Sequence, residues 1–169
     1  MLVLTVLKKI RALVRSRAGQ GTVEFALMAP FFFLILIGGI DFGRSGFYYV
    51  TTSDLARNGA RIGAAYDTGT GPTDASITSL IQQQAKAMTF ADLTQPAACG
   101  TSTPPSPLTA CYQPAVGRGF IFIDRSGFAS FPKYIAVSVV YHFEATTPMV
   151  RALMSTNYFV GTATMVTEY

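Results

Sequence analysis

The chain has 169 residues, a length that suits one modest domain. Half of them are hydrophobic, only 13% are charged, and the mean hydropathy is +0.35. This excludes a disordered tail, which is poor in apolar residues and rich in charge. It also argues against an ordinary soluble enzyme, which carries nearer a quarter charged residues. The net charge of +4 is a local property. Lys8, Lys9, Arg11, Arg15 and Arg17 lie in residues 1–19 without an acid, and the remainder holds eight basic and nine acidic residues. No basic surface is left there to recommend nucleic acid as a partner.

Phe25 to Ile40 reads FALMAPFFFLILIGGI, 16 residues without a charge. A helix of that length is roughly 24 Å long. With Thr22, Val23 and Phe42 the stretch, about 22–42, approaches the length that crosses a bilayer. Glu24 and Asp41 mark its ends. The basic leader keeps residues 1–19 in the cytoplasm and exports the residues beyond the span. An ordinary secretory signal fits less well, because no A-x-A site comes after Ile40.

Arg17 to Phe25 reads RAGQGTVEF: a basic leader ending in Gly19, then Glu24 and Phe25, then the apolar run. This resembles the site of class III signal peptides, which a prepilin peptidase cuts on the cytoplasmic face. The resemblance implies cleavage between Gly19 and Gln20, with the apolar segment retained. Glu24 would then be the fifth residue of the mature chain and Phe25 its aromatic sixth. A carboxylate in a membrane helix is costly unless paired or functional. The ammonium created at Gln20 of a neighbouring subunit could pair with Glu24, unless Gln20 cyclises. The plainer alternative leaves Glu24 at headgroup level.

Three strings extend the resemblance to a family: QGTVEFALMAPFFFLILIGGIDFGR (20–44), SDLARNGARIGAAY (53–66), and VSVVYHFEATTP (137–148) with GTATMVTEY (161–169). Together they are similar to TadE-like proteins, the minor pilin-like subunits of the tight-adherence (Tad, or Flp-type) pilus. The family implies an α+β, pilin-like fold and a structural role in the cytoplasmic (inner) membrane, with the head outside or in the pilus. It implies other pilin subunits, the prepilin peptidase and the inner-membrane assembly platform as partners. Phe25 stands where major Flp pilins often have Tyr.

Pro30 removes a helical hydrogen bond and crowds the carbonyl of Ala26, so a kink is expected. It either serves flexing during extraction from the bilayer or is merely tolerated. The helix is expected to continue to about Tyr66, with Asp41–Arg44 and Asp54–Arg57–Arg61 spaced along it. Phe42, Phe47, Tyr48, Val50, Leu55 and Ile62 would supply apolar contacts, and Tyr48 and Tyr49 an interfacial anchor. Gly38, Gly39, Gly43 and Gly46 would allow a neighbouring helix close.

Asp67 to Pro72 reads as a breaker. Its DTG lacks the second carboxylate that aspartic-protease chemistry requires. Residues 67–169 are expected to form the extracytoplasmic head. Thr73 or Asp74 can cap a second helix reaching about Thr89, with Ile77, Leu80, Ile81, Ala85 and Met88 on its apolar face. A Pro-rich loop covers 94–118, and Cys99 and Cys111 would close it as a disulfide in an oxidising compartment. Strands are expected at 120–123, 134–143 and 158–166, forming a small antiparallel sheet. In the second, Ile135, Val137, Val139, Tyr141 and Phe143 alternate onto one face, and His142 falls on the other. No nucleophile, phosphate-loop or metal-ligand pattern is present, so neither an enzyme nor a cofactor is expected. The rival reading is a single-pass, membrane-anchored binding domain unrelated to pili.

Overall fold

The computed structural model describes residues 19–65, 72–90, 92–96, 99–100, 103–129, 133–153 and 157–166. The leader residues 1–18 and the Asp67 turn lie outside them. The chain divides into two units, Met1–Ile40 and Asp41–Tyr169.

A single 45-residue helix, α1, runs Gln20–Ala64 and contains Pro30. It ends two residues before the expected Tyr66. In the second unit its buried residues are Asp41, Thr51, Thr52, Leu55, Ala56, Gly59, Ala60 and Gly63. From Thr52 on, these recur every three or four residues, which is one stripe of a helix. Apart from Leu55 the stripe is built of small side chains; of the apolar set expected, Leu55 is buried in it and Tyr48 and Ile62 pack against the core. Phe42, Phe47 and Val50 are exposed instead. Small residues let the large side chains of the sheet and of the next helix come close: a Cβ on Gly59 would stand 2.6 Å from Ile81 Cδ1, and one on Gly63 would meet Ile135.

Helix α2, Asp74–Ala87, is capped by Thr73, whose hydroxyl accepts from the Ser76 N–H at 3.2 Å. Its buried side is Ile77, Thr78, Ile81 and Ala85. Leu80, assigned to that side from the sequence, is exposed.

Four strands come next in spatial order: β1 Leu93–Thr94, β2 Gly119–Asp124, β3 Tyr134–Phe143 and β4 Asn157–Val166. The β2–β3 and β3–β4 pairs are antiparallel, but β1 pairs with β2 in parallel. The sheet is therefore mixed rather than wholly antiparallel. The two-residue β1 lies too close to the helix end and the Pro-rich loop to carry a strand pattern. A short helix, α3, Pro148–Leu153, occupies the connection between β3 and β4.

The expected alternation of β3 is only half of its burial. Ile135, Val137, Val139, Tyr141 and Phe143 join Leu55, Ile77, Ile81, Ile121 and Ile123 in the core. Ala136, Ser138 and Val140, on the opposite face, are buried as well. The Pro-rich loop accounts for part of this second layer: Tyr112 packs on Phe122 at 5.0 Å, and His142 Nδ1 lies 3.0 Å from the Pro114 carbonyl. A strand covered on both faces reads as a continuous apolar run, not an alternating one.

Candidate functional site

The residues singled out for processing and assembly lie at the start of α1. Gly19 directly precedes the helix and Gln20 opens it; both are exposed. The Gln20 side-chain amide donates to Glu24 Oε1 at 3.0 Å, one turn on. Glu24 therefore stands on the surface of the helix, with a partner from its own chain. Phe25 is 69% exposed. Leu27, Met28, Phe31, Phe32, Phe33, Leu34, Ile35, Leu36, Ile37 and Ile40 are exposed too.

An apolar surface of this extent is far larger than the scattered exposed side chains of a soluble monomer. Lipid tails or other apolar helices are its natural surroundings. By length and composition α1 is able to cross a membrane. Gly38, Gly39, Gly43 and Gly46 interrupt the bulk of the helix, and a Cβ on any of them would meet nothing within 4 Å. They are open notches.

Asp41 ends the apolar run and is 2% exposed. Its carboxylate accepts from the backbone N–H of Thr147 at 2.8 Å and of Thr146 at 3.2 Å, and from Arg44 at 3.3 Å. Arg44 also reaches the Thr146 hydroxyl, and its guanidinium lies 5.7 Å from the Phe143 ring centroid. A buried carboxylate is tolerable when its lone pairs are filled in this way. The spacing of Asp41 and Arg44 is legible in the sequence. Thr146 and Thr147, more than a hundred residues on, carry no such signal.

Tyr48 is not the interfacial anchor expected of it. Its ring stacks on Tyr141 at 4.7 Å and lies 5.4 Å from Phe90 and 5.7 Å from Phe143. Burial, and after it the neighbouring Tyr48, pushes the Tyr141 phenol well above its ordinary range. Tyr49 remains exposed, with its ring edge against Phe159 at 6.0 Å. The Asp54–Arg57 pair forms at 3.8 Å on the surface.

The expected disulfide is corrected. Cys99 and Cys111 are both free. The Cys99 thiol donates to the backbone carbonyl oxygen of Cys111. Partial burial, with Cys111 beside it, pushes the Cys99 thiol up to about 11. Among the described residues no group of three His, Cys, Asp or Glu side chains could hold a metal ion. A cleft of about 210 Å³ between α2, β1 and Arg118 includes none of the residues singled out from the sequence.

The model of the TadE-like protein family matches residues 19–61. The match opens at Gly19, takes in Gln20, Glu24, Phe25 and Pro30, and runs on through the buried stripe of α1. It stops before the strings at 137–148 and 161–169. No curated protein and no solved structure matches the chain.

Proposed function

From the TadE-like segment at 19–61, we propose that the protein is a minor pilin, or pseudopilin, of a Tad (Flp-type) pilus. A prepilin peptidase cuts it between Gly19 and Gln20. Residues 22–42 hold it in the cytoplasmic membrane, with the leader inside and residues 67–169 outside. Assembly then proceeds through α1, which leaves the bilayer for the company of other pilin helices above the inner-membrane platform. The role is structural, not enzymatic.

The observation that carries this reading is the uncovered apolar surface of α1 between Val23 and Ile40, in a helix whose later turns are built into the head. A helix bound only for lipid has no need of notches. Gly38, Gly39, Gly43 and Gly46 instead suit a close helical neighbour. Glu24 adds a polar contact at the end that enters the bilayer. Its own Gln20 amide is a weak partner beside a mature N-terminal ammonium.

Cysteine cross-linking in the host tests the assembly step. Gly39→Cys or Gly43→Cys, labelled with a thiol-attached photo-cross-linker in a background with Cys99 and Cys111 replaced by Ser, is expected to cross-link to other pilin subunits. The products should vanish when the assembly platform is deleted. A chain that stays uncross-linked in a cell bearing pili sinks the assembly reading and leaves a membrane-anchored domain with another purpose.

A further inference from the structure

The two edges of the sheet are unlike. The β1 edge is two residues long and has Lys86, Asp92 and Arg118 around it. Short strands and nearby charge are how proteins keep a sheet edge from pairing. The β4 edge has neither protection. It runs ten residues, Asn157–Val166, in unbroken register with β3. It contains no Lys, Arg, Asp, Glu or Pro, and no described strand pairs with its outer side.

Its side chains divide by face. Phe159, Ala163 and Met165 pack on the core, and Gly161 lies against the backbone of α1 at Thr52. Val160, Thr162, Thr164 and Val166 point the other way and are exposed. This second set is a palindrome about Ala163. If the strand meets itself antiparallel with the two Ala163 residues opposed, Thr162 faces Thr164 of the other copy and Val160 faces Val166. Every cross-strand pair on that face is then alike, and no charge opposes a charge. Thr–Thr and β-branched pairs favour such a ladder.

We infer that the β4 edge is an isologous interface, at which a second copy of this chain adds its own β4 antiparallel about Ala163 and extends the sheet from four strands to eight. The partner is the same chain rather than a different subunit because the pattern is complementary to itself, as a two-fold contact requires. The inference stands apart from the pilus reading, since it uses only the head.

The test uses the full chain in detergent, with Cys99 and Cys111 replaced by Ser. Two differently tagged versions are co-expressed, one carrying Thr162→Cys and the other Thr164→Cys. Mild oxidation is expected to give mixed dimers at least fivefold in excess of those formed by either variant alone. Both positions are exposed, but the Thr162 hydroxyl lies 3.0 Å from that of the buried Ser138, so circular dichroism is used to check that each variant keeps the parent fold. A second variant, Thr162→Lys with Thr164→Lys, should convert a dimer seen by light scattering into monomer. The inference is overturned if the mixed pair cross-links no better than either variant alone, if the double-lysine chain dimerises as the parent does, or if the cysteines capture a different subunit instead.

Discussion

The carboxylate of Asp41 accepts the backbone N–H of Thr147 at 2.8 Å, across 106 residues of sequence. Asp41 is the first charged residue after the apolar run, and Thr147 precedes α3. The contact fixes the connection after β3 onto α1 within the second unit. Asp41→Ala removes an acceptor from two backbone donors and from Arg44. It should destabilise the head by about 2–3 kcal/mol, the usual cost of hydrogen bonds to a charged group. Asp41→Asn keeps one acceptor oxygen and should cost less. Thermal unfolding of the full chain in detergent checks the order; equal melting temperatures for all three would contradict it.

Gly161 is a second point of close approach. A Cβ there would stand 2.6 Å from the Thr52 carbonyl oxygen and 2.8 Å from Ser53 Cα, both backbone atoms of α1. Gly59 is also tight, but its nearest neighbour is the movable end of Ile81, at 2.6 Å. Backbone cannot yield as a rotamer can, so Gly161→Ala should cost about 3 kcal/mol and Gly59→Ala roughly 1 kcal/mol, within the usual range for overpacking. Denaturant midpoints of the two variants measure the difference, and a Gly59→Ala loss as large as that of Gly161→Ala would refute this reading of the contact.

Much of this fold is legible in the sequence, and the parts that are not have physical causes. The apolar run, the Thr73 cap and the long strands obey local rules of spacing and capping. The buried stripe of α1 is hidden, because packing there rewards small residues that a search for apolar periodicity passes over. The second buried face of β3 is hidden because it depends on the Pro-rich loop, through contacts such as Tyr112 with Phe122. At the candidate site, Glu24, Phe25 and Pro30 are readable because they belong to a continuous motif. The partners of Asp41 come from a distant connection and are not.

The two cysteines should react differently. Cys111 is exposed, whereas Cys99 is partly buried and its thiol is pushed up to about 11. The thiolate is the reactive form, so alkylation of Cys99 at pH 8 should lag behind that of Cys111 and accelerate as the pH rises. Peptide mapping after timed iodoacetamide treatment resolves the two sites. Equal rates, or loss of both thiols as one cystine under non-reducing conditions, would contradict the free-thiol arrangement.

Asp124 gives a pH signature. Partial burial works to raise its carboxyl, but hydrogen bonds from Ser126 and Thr103 outweigh this and hold it below the ordinary value. A carboxyl depressed on folding contributes stability that is present above its unfolded pKa and lost as the pH falls through its folded pKa. Asp124→Asn should therefore be less stable than the parent at pH 7, and the gap should close on acidification below the ordinary carboxylate range. A gap that is constant with pH would show that the charge plays no part.

Processing at Gly19 is the central claim, and the mature N-terminus is its most direct measure. Intact mass and N-terminal analysis should be made on protein from host membranes, in the parent strain and in one lacking the prepilin peptidase. A chain beginning at Gln20, open or cyclised, only where the peptidase is present is the expected result. A chain that still begins at Met1 in the parent strain, or one cut beyond Ile40, would contradict it.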